Sequence, residues 1–270
     1  MADLKHYVIR GGVKGHERLK ILSRVMHPST AALFDQAGVA AGMNCLDIGC
    51  GSGDVTMELA RRVGPDGRVV GADIDAIKID LARAEAQMFD LTNVEFRMLD
   101  IRERPSTAEF DVVHARFLLT HLSDPASAVD AFYHHLKPGG LVMVQDIDFT
   151  GSFVYPESHA FRRFHELYCQ AVRGRGGDPD IGPRLPLLLI NRGFENVNVT
   201  TTQPIGLQGE VKVMNALTME NIADAVLEDK LATREEIDEI VSELYAYADN
   251  PHTIAGAPRI VQAWGWKAAG

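Results

Sequence analysis

The 270-residue chain is short of cysteine: it has three, Cys45, Cys50 and Cys169. Their number is odd and no Cys-x-x-Cys pair occurs. Neither a disulfide framework nor a structural zinc site is expected. No apolar run approaches the roughly 18 residues that suggest a membrane span. The opening Met-Ala-Asp-Leu-Lys-His-Tyr has no apolar secretion core. A cytoplasmic protein with no membrane partner is expected. Basic runs are also missing. The densest, Arg162, Arg163, Arg173 and Arg175, is interleaved with Glu166 and Asp178, and the net charge is −10. A phosphate-seeking protein carries a basic face, so nucleic acid is not expected as a partner.

What is present is apolar residue in quantity, 46% of the chain, enough for one large domain or a domain with a small lid. Residues 15–40 read as helix, with Leu19, Ile21, Leu22, Val25 and Met26 at helical spacing and a break at Pro28. Short apolar runs then alternate with amphipathic segments. Met43–Gly49, Arg68–Asp73, Val94–Met98, Phe110–His114 and Leu141–Ile147 read as strands. Asp54–Val63, Ala76–Phe89 and Ser123–Leu136, with Ser123 at its N-cap position, read as helices. Lys137-Pro138-Gly139-Gly140 reads as a turn. This alternation predicts an α/β fold, a parallel sheet with helices on both faces.

Beyond residue 150 the rhythm loosens. Helices are expected at Glu157–Val172, Leu185–Asn191, Met214–Lys230 and Arg234–Tyr247, the last with Thr233 and Glu236 as a capping box. Strands are expected at Glu195–Thr202 and Pro258–Trp266, and a loop at Gly174–Gly182.

The informative segment is Leu46-Asp47-Ile48-Gly49-Cys50-Gly51-Ser52-Gly53-Asp54, which leaves a strand and opens a helix. Its glycines let the backbone turn and approach a ligand, and free amides are expected at the helix start. Asp47 is placed to meet a cationic ligand and would repel a pyrophosphate. Asp73, 24 positions after Gly49, ends the second strand where it can accept from two ribose hydroxyls. Asp100 follows the third strand and can accept from an exocyclic amine, with Ile74 and Ile101 flanking a ring. A dinucleotide fingerprint would want Gly or Ala where Asp54 stands.

Together with the later Leu136-Lys137-Pro138-Gly139-Gly140, these residues resemble the class I S-adenosylmethionine-dependent methyltransferase family, its small-molecule branch. The resemblance covers residues 40–150. It implies a Rossmann-like, mostly parallel seven-stranded sheet, the last strand antiparallel, with a helical cap. It implies S-adenosyl-L-methionine as cofactor, held by Asp47, Gly49, Cys50, Gly51, Asp73, Ile74, Asp100 and Ile101, with Ala115 and Arg116 beside it and Tyr7 closing over its methionine end. Three regions follow: residues 1–40 as a helical cover, 41–150 as the cofactor core, and 151–270 as edge strands with an acceptor cap. Phe110–Arg116 lacks the Asn/Asp-Pro-Pro-aromatic signature for base or glutamine amines.

The acceptor is therefore expected to be a small organic molecule, methylated on oxygen, nitrogen or carbon, with specialised metabolism as the expected setting. RNA or protein methylation and a non-catalytic cofactor-binding fold are the alternatives. Ligands bind beyond the carboxyl ends of parallel strands. His114, His121 and Asp148 are the catalytic candidates by position, with His159, His165 and Tyr168 as further pocket candidates. Asp146-x-Asp148 lacks a third donor, so no metal is expected. The oligomeric state is not legible, a homodimer being one option.

Overall fold

The computed structural model describes residues 12–101, 105 and 107–270. Tyr7 lies outside them. In chain order the elements are α1 (Gly12–Ala37), β1 (Asn44–Ile48), α2 (Asp54–Val63), β2 (Arg68–Asp73), α3 (Ala76–Met88), β3 (Val94–Met98), β4 (Phe110–Arg116), α4 (Pro125–His135) and β5 (Leu136–Asp148). There follow β6 (Phe153–Tyr155), α5 (His159–Gly174), α6 (Leu185–Arg192), β7 (Glu195–Thr202), β8 (Ile205–Gly206), α7 (Glu210–Glu228), α8 (Arg234–Asp249), β9 (Ile254–Gly256) and β10 (Arg259–Trp266).

Seven strands form one sheet in the order β3-β2-β1-β4-β5-β10-β7. The pairs from β3 to β5 are parallel, and β10 runs antiparallel to both its neighbours. This is the expected sheet, last strand reversed. Side chains alternate across it. Cys45 of β1, Val69 of β2, Val112 of β4 and Met143 of β5 pack with Leu33 and Phe34 of α1 and Leu59 of α2. Leu46, Val70 and Val113, each one residue on, and Val142, one residue back, pack against Val129 and Phe132 of α4 and Leu185 and Leu189 of α6. Helices α5, α7 and α8 form a separate apolar cluster with Phe149 and Ile260, and that cluster is the cap.

Three local expectations change. Helix α1 runs through Pro28 without a break. The lost amide bond is outweighed by the packing of its second half, where Leu33 and Phe34 are fully buried. Helix α4 is capped by Asp124, whose carboxylate accepts from Ser127 N at 3.0 Å, and not by Ser123. Strand β5 starts at Leu136, five residues early. The Pro-Gly-Gly segment is drawn into the sheet by the C-terminal strand: Gly139 N donates to Lys267 O at 3.0 Å and Lys267 N to Gly140 O at 2.8 Å. A second sheet, β6-β9-β8, has strands of two or three residues, too short to leave a periodic signal.

Gly53 shows what the strand–helix turn demands. Its φ is +82°, and a Cβ there would lie 2.7 Å from the Phe96 ring and 3.0 Å from Ala82 Cβ. Gly53→Ala is expected to cost about 2–4 kcal/mol, combining left-handed strain with overpacking. Equilibrium denaturant unfolding checks this.

Candidate active site

A cavity of about 460 Å³ opens beyond the carboxyl ends of β1 to β4 and runs under α1 to the cap. That volume lies in the range of small-molecule sites. The glycine turn forms one wall. Gly49, Gly51 and Gly53 all have positive φ. Four amides of the turn are already bonded within the fold, while those that open α2 have no side-chain cap. Gly49 N and Cys50 N donate to Ala72 O at 2.8 and 3.0 Å, Gly51 N donates to Asp73 Oδ2 at 2.9 Å, and Gly53 N to Cys50 O at 2.9 Å. Those donors are spent bracing the turn against the end of β2, so they do not form a phosphate cradle. A Cβ on Gly51 would meet only Leu19, at 3.5 Å, but at φ +55°.

Asp47 and Arg116 both line the cavity, one acidic and one basic. A buried polar ladder on the α1 side of the sheet joins them. Asp47 accepts from Thr56 Oγ1 at 2.6 Å and from His114 Nδ1 at 2.8 Å. Gln145 Nε2 donates to His114 Nε2 at 2.8 Å. Gln145 Oε1 accepts from Gln262 Nε2 at 2.7 Å and from Thr30 Oγ1 at 3.2 Å. Arg116 Nη1 donates to Thr30 Oγ1 at 3.0 Å. Every donor meets an acceptor. A carboxylate oxygen can accept more than one bond, so Asp47 keeps acceptor capacity toward the cavity. Burial pulls the Arg116 guanidinium down from its ordinary value, opposed by Asp47 and Asp54.

The other end of the cavity is formed by Asp73, Ile74, Asp100 and Ile101. Asp73 is buried and accepts from two amides, Gly51 N on one oxygen and Asp75 N on the other, both at 2.9 Å. These bonds fix the carboxylate plane at the end of β2. Cys50 also lines the cavity, its thiol held protonated because burial pushes it well above the usual thiol range. Together with Asp47, Gly49, Gly51 and Arg116, these residues occupy one continuous wall. That wall carries the Asp47 carboxylate and the Arg116 guanidinium as well as the carboxylates of Asp73 and Asp100.

Three candidates fall elsewhere. His114 is fully buried, with both ring nitrogens engaged in the ladder, and it does not line the cavity. Ala115 points to the opposite face and packs in the α4–α6 core. Asp148 is drawn to β10, where Arg259 donates to its Oδ2 through Nε at 2.9 Å and Nη2 at 2.6 Å. Asp146 is buried too, pushed up to about 7 by desolvation, and accepts from Thr120 N at 3.1 Å. Among the described residues no three His, Cys, Asp or Glu side chains are grouped to hold a metal.

His121 does line the cavity, and desolvation, with Lys78 and Arg18 nearby, pushes its imidazole down to about 3. Tyr168 lines it; His159 and His165 do not, and His165 Nε2 bonds Phe149 O at 3.0 Å. The sequence reading expected a helical cover and a cap but named none of the α1 and α7 side chains that line the cavity, Arg18, Leu22, Met26, Asn215 and Thr218 among them. The α1 residues gave only an amphipathic stripe. Thr218 and Asn215 lie in a helix that also carries Lys212, Glu220, Asn221 and Asp224, so their polarity did not single them out.

Asp73→Ala is expected to weaken binding of S-adenosylhomocysteine by about 1–3 kcal/mol, the scale for bonds to a charged acceptor, as read by calorimetry. The His121 ring is expected to stay neutral from pH 5 to 8; imidazole nitrogen NMR shifts that titrate in that window would contradict its burial.

Residues 40–176, half of the chain, match the family model described as a methyltransferase domain. The ubiquinone biosynthesis O-methyltransferase of Acinetobacter baumannii (strain ACICU) is 35% identical over 144 residues, 53% of this chain and 57% of that protein. The ubiquinone/menaquinone biosynthesis C-methyltransferase UbiE of Idiomarina loihiensis is 33% identical over 137 residues, covering 50% and 52% of the two chains. The chain thus spans little more than half the length of these curated relatives. The solved YcgJ protein of Bacillus subtilis shares the fold, with a TM-score of 0.59 at 18% identity over 90% of this chain and all of that one. No helix among the described residues is long and apolar enough to cross a membrane. By its matched region and its strand order, the chain belongs to the methyltransferase domain family.

Proposed function

We propose that the protein transfers a methyl group from S-adenosylmethionine to a small organic acceptor. The observation that carries this reading is the pairing of Asp47 and Arg116 in one cavity whose far end holds Asp73 and Asp100. An acid and a base locked together suit the ammonium and carboxylate of a methionine head. Asp73 suits a ribose diol, and Asp100 an adenine amine between Ile74 and Ile101. A turn in which the Gly49, Cys50, Gly51 and Gly53 amides are already bonded suits a ligand without phosphate.

S-adenosylmethionine supplies a sulfonium methyl group, transferred by in-line displacement with loss of the charge on sulfur. The chain's own residues have three tasks: to bind, to align and to keep water out. Residues 12–37 cover the cavity, residues 41–150 grip the cofactor, and the cap helices shape the acceptor space. The acceptor side is walled by Phe149, Phe164, Tyr168 and Met214, an apolar surround that excludes water. His121 faces this space as a neutral imidazole that can hydrogen-bond an acceptor but is a weak base. The curated relatives' roles in quinone biosynthesis support a small-molecule acceptor over RNA or protein, as does the net charge of −10.

Calorimetry with S-adenosylmethionine and S-adenosylhomocysteine, followed by a labelled-methyl assay on small-molecule, RNA and protein pools, tests the proposal. Both nucleosides are expected to bind, and label to enter the small-molecule pool. Gly51→Val is expected to abolish binding while the fold persists, because a branched side chain resists φ +55° and fills the approach. Tight NADH binding without affinity for either nucleoside would refute the reading; binding without any methyl acceptor would leave a cofactor-binding protein that does not catalyse.

A further inference from the structure

A second cavity, of about 180 Å³, lies on the side of the sheet away from α1. On that side α4 packs on β4 and β5, and α6 on β10 and β7. Over β1 and β2 the cover comes from the stretch between β3 and β4, where Leu99, Thr107 and Glu109 line the cavity. Its floor is Leu46, Val70 and Ala72, each 1% exposed, and the buried Phe110 ring stands at its side.

One polar group is sealed into this apolar surround. His135, the last residue of α4, lines the cavity and is 6% exposed. Its Nε2 is buried and has no hydrogen-bond partner among the described residues. Phe110 meets the imidazole at 6.2 Å and 55°, and Glu109 N donates to His135 O at 3.1 Å, which fixes the backbone beside it. Burial pulls the ring below its ordinary value, opposed by Glu109 and assisted by His134, so it is neutral at pH 7. The charged groups at the rim are exposed and already engaged. Arg97 is paired with Glu95, and Glu109 accepts from Thr107 Oγ1 at 3.2 Å.

We propose that this cavity is a second ligand site, that it takes a small neutral ring whose hydroxyl bonds to His135, and that its occupancy is felt at the nucleoside end of the main cavity. Apolar cavities of about 150 Å³ take up benzene, so this one holds a single six-membered ring with a substituent. A hydroxyl both donates and accepts, so it serves either tautomer of a neutral imidazole. A carboxylate or ammonium would lose its water here and meet no opposite charge on the floor. Leu99 lines both cavities. Its amide donates to Asp73 O at 3.1 Å, and Asp100 follows it. A ring seated against Leu99 therefore bears on the two acids that face the nucleoside. That coupling, unlike the site itself, rests on the methyl-transfer reading.

The experiment titrates the full chain, without nucleoside, with phenol and with toluene, which carries a methyl in place of the hydroxyl. Phenol is expected to bind at least threefold more tightly, with nuclear Overhauser contacts from its ring protons to the methyl groups of Leu46, Val70 and Ala72. His135→Phe is expected to erase the preference for phenol. Ala72→Leu, which fills the floor, is expected to weaken both probes at this site tenfold or more and covers the case where the first variant does not fold. Saturating phenol is then expected to shift S-adenosylhomocysteine affinity at least threefold, with the same factor appearing in the phenol affinity. Absence of phenol binding, phenol that gives no contacts to those methyl groups, or a preference that survives His135→Phe would each overturn the site. Contacts at the site with S-adenosylhomocysteine affinity unchanged would overturn the coupling. Wild-type protein that holds phenol here but does not bind S-adenosylhomocysteine would instead defeat the methyl-transfer reading and leave the site standing.

Discussion

The molecule is organised around a carboxylate that has been taken out of water. Asp47 sits on β1, 2% exposed, among strands that are otherwise apolar. A buried carboxylate is tolerable only where donors surround it. Thr56 and His114 supply two, and satisfying His114 recruits Gln145, which recruits Gln262 and Thr30. Each step adds another element: α2, β4, β5, β10 and finally α1. The position of Arg116 follows from the same chain of bonds through Thr30. One charged group thus sets the register of α1 on the sheet and the separation of the acid and base that face the cavity.

The glycine turn answers a different constraint. The amides of Gly49, Cys50, Gly51 and Gly53 are consumed by Ala72 O, Asp73 and Cys50 O, so the turn is braced before any ligand arrives. That preorganisation makes Asp73 both a brace and a ligand-facing group. Two of its acceptor positions hold the backbone, and the cavity sees the remainder. Rigid placement of the acid lowers the ordering cost that a nucleoside would meet on binding.

The glycine-turn wall of the cavity was legible in the sequence because its signals are local. A strand, a glycine turn and a helix within Leu46–Asp54, with acids closing the next two strands, place Asp47, Gly49, Gly51, Asp73 and Asp100 on one wall with little need of tertiary information. The acceptor side was not legible, for reasons of parity and distance. Ala115 lies at the right end of β4 but on the wrong face, and His114 faces the right side yet is sealed beneath α1. Asp148 is claimed by Arg259, 111 residues away, a partner no local window contains. Gln145 and Gln262 are buried polar residues of β5 and β10, and what they bond is a matter of sheet order.

The cavity draws its two halves from different layers of the fold. Strand ends and their turns hold one side, while α1, α5 and α7 make up the other. The first set is bound into the sheet, where a changed residue disturbs the fold itself. The second is a set of helix faces that can exchange one side chain for another with the sheet untouched. An ancestral gene could in this way change what it modifies by drifting in its helices alone, and lineages descended from it would be expected to differ most where this chain places Arg18, Leu22, Tyr168, Met214 and Thr218.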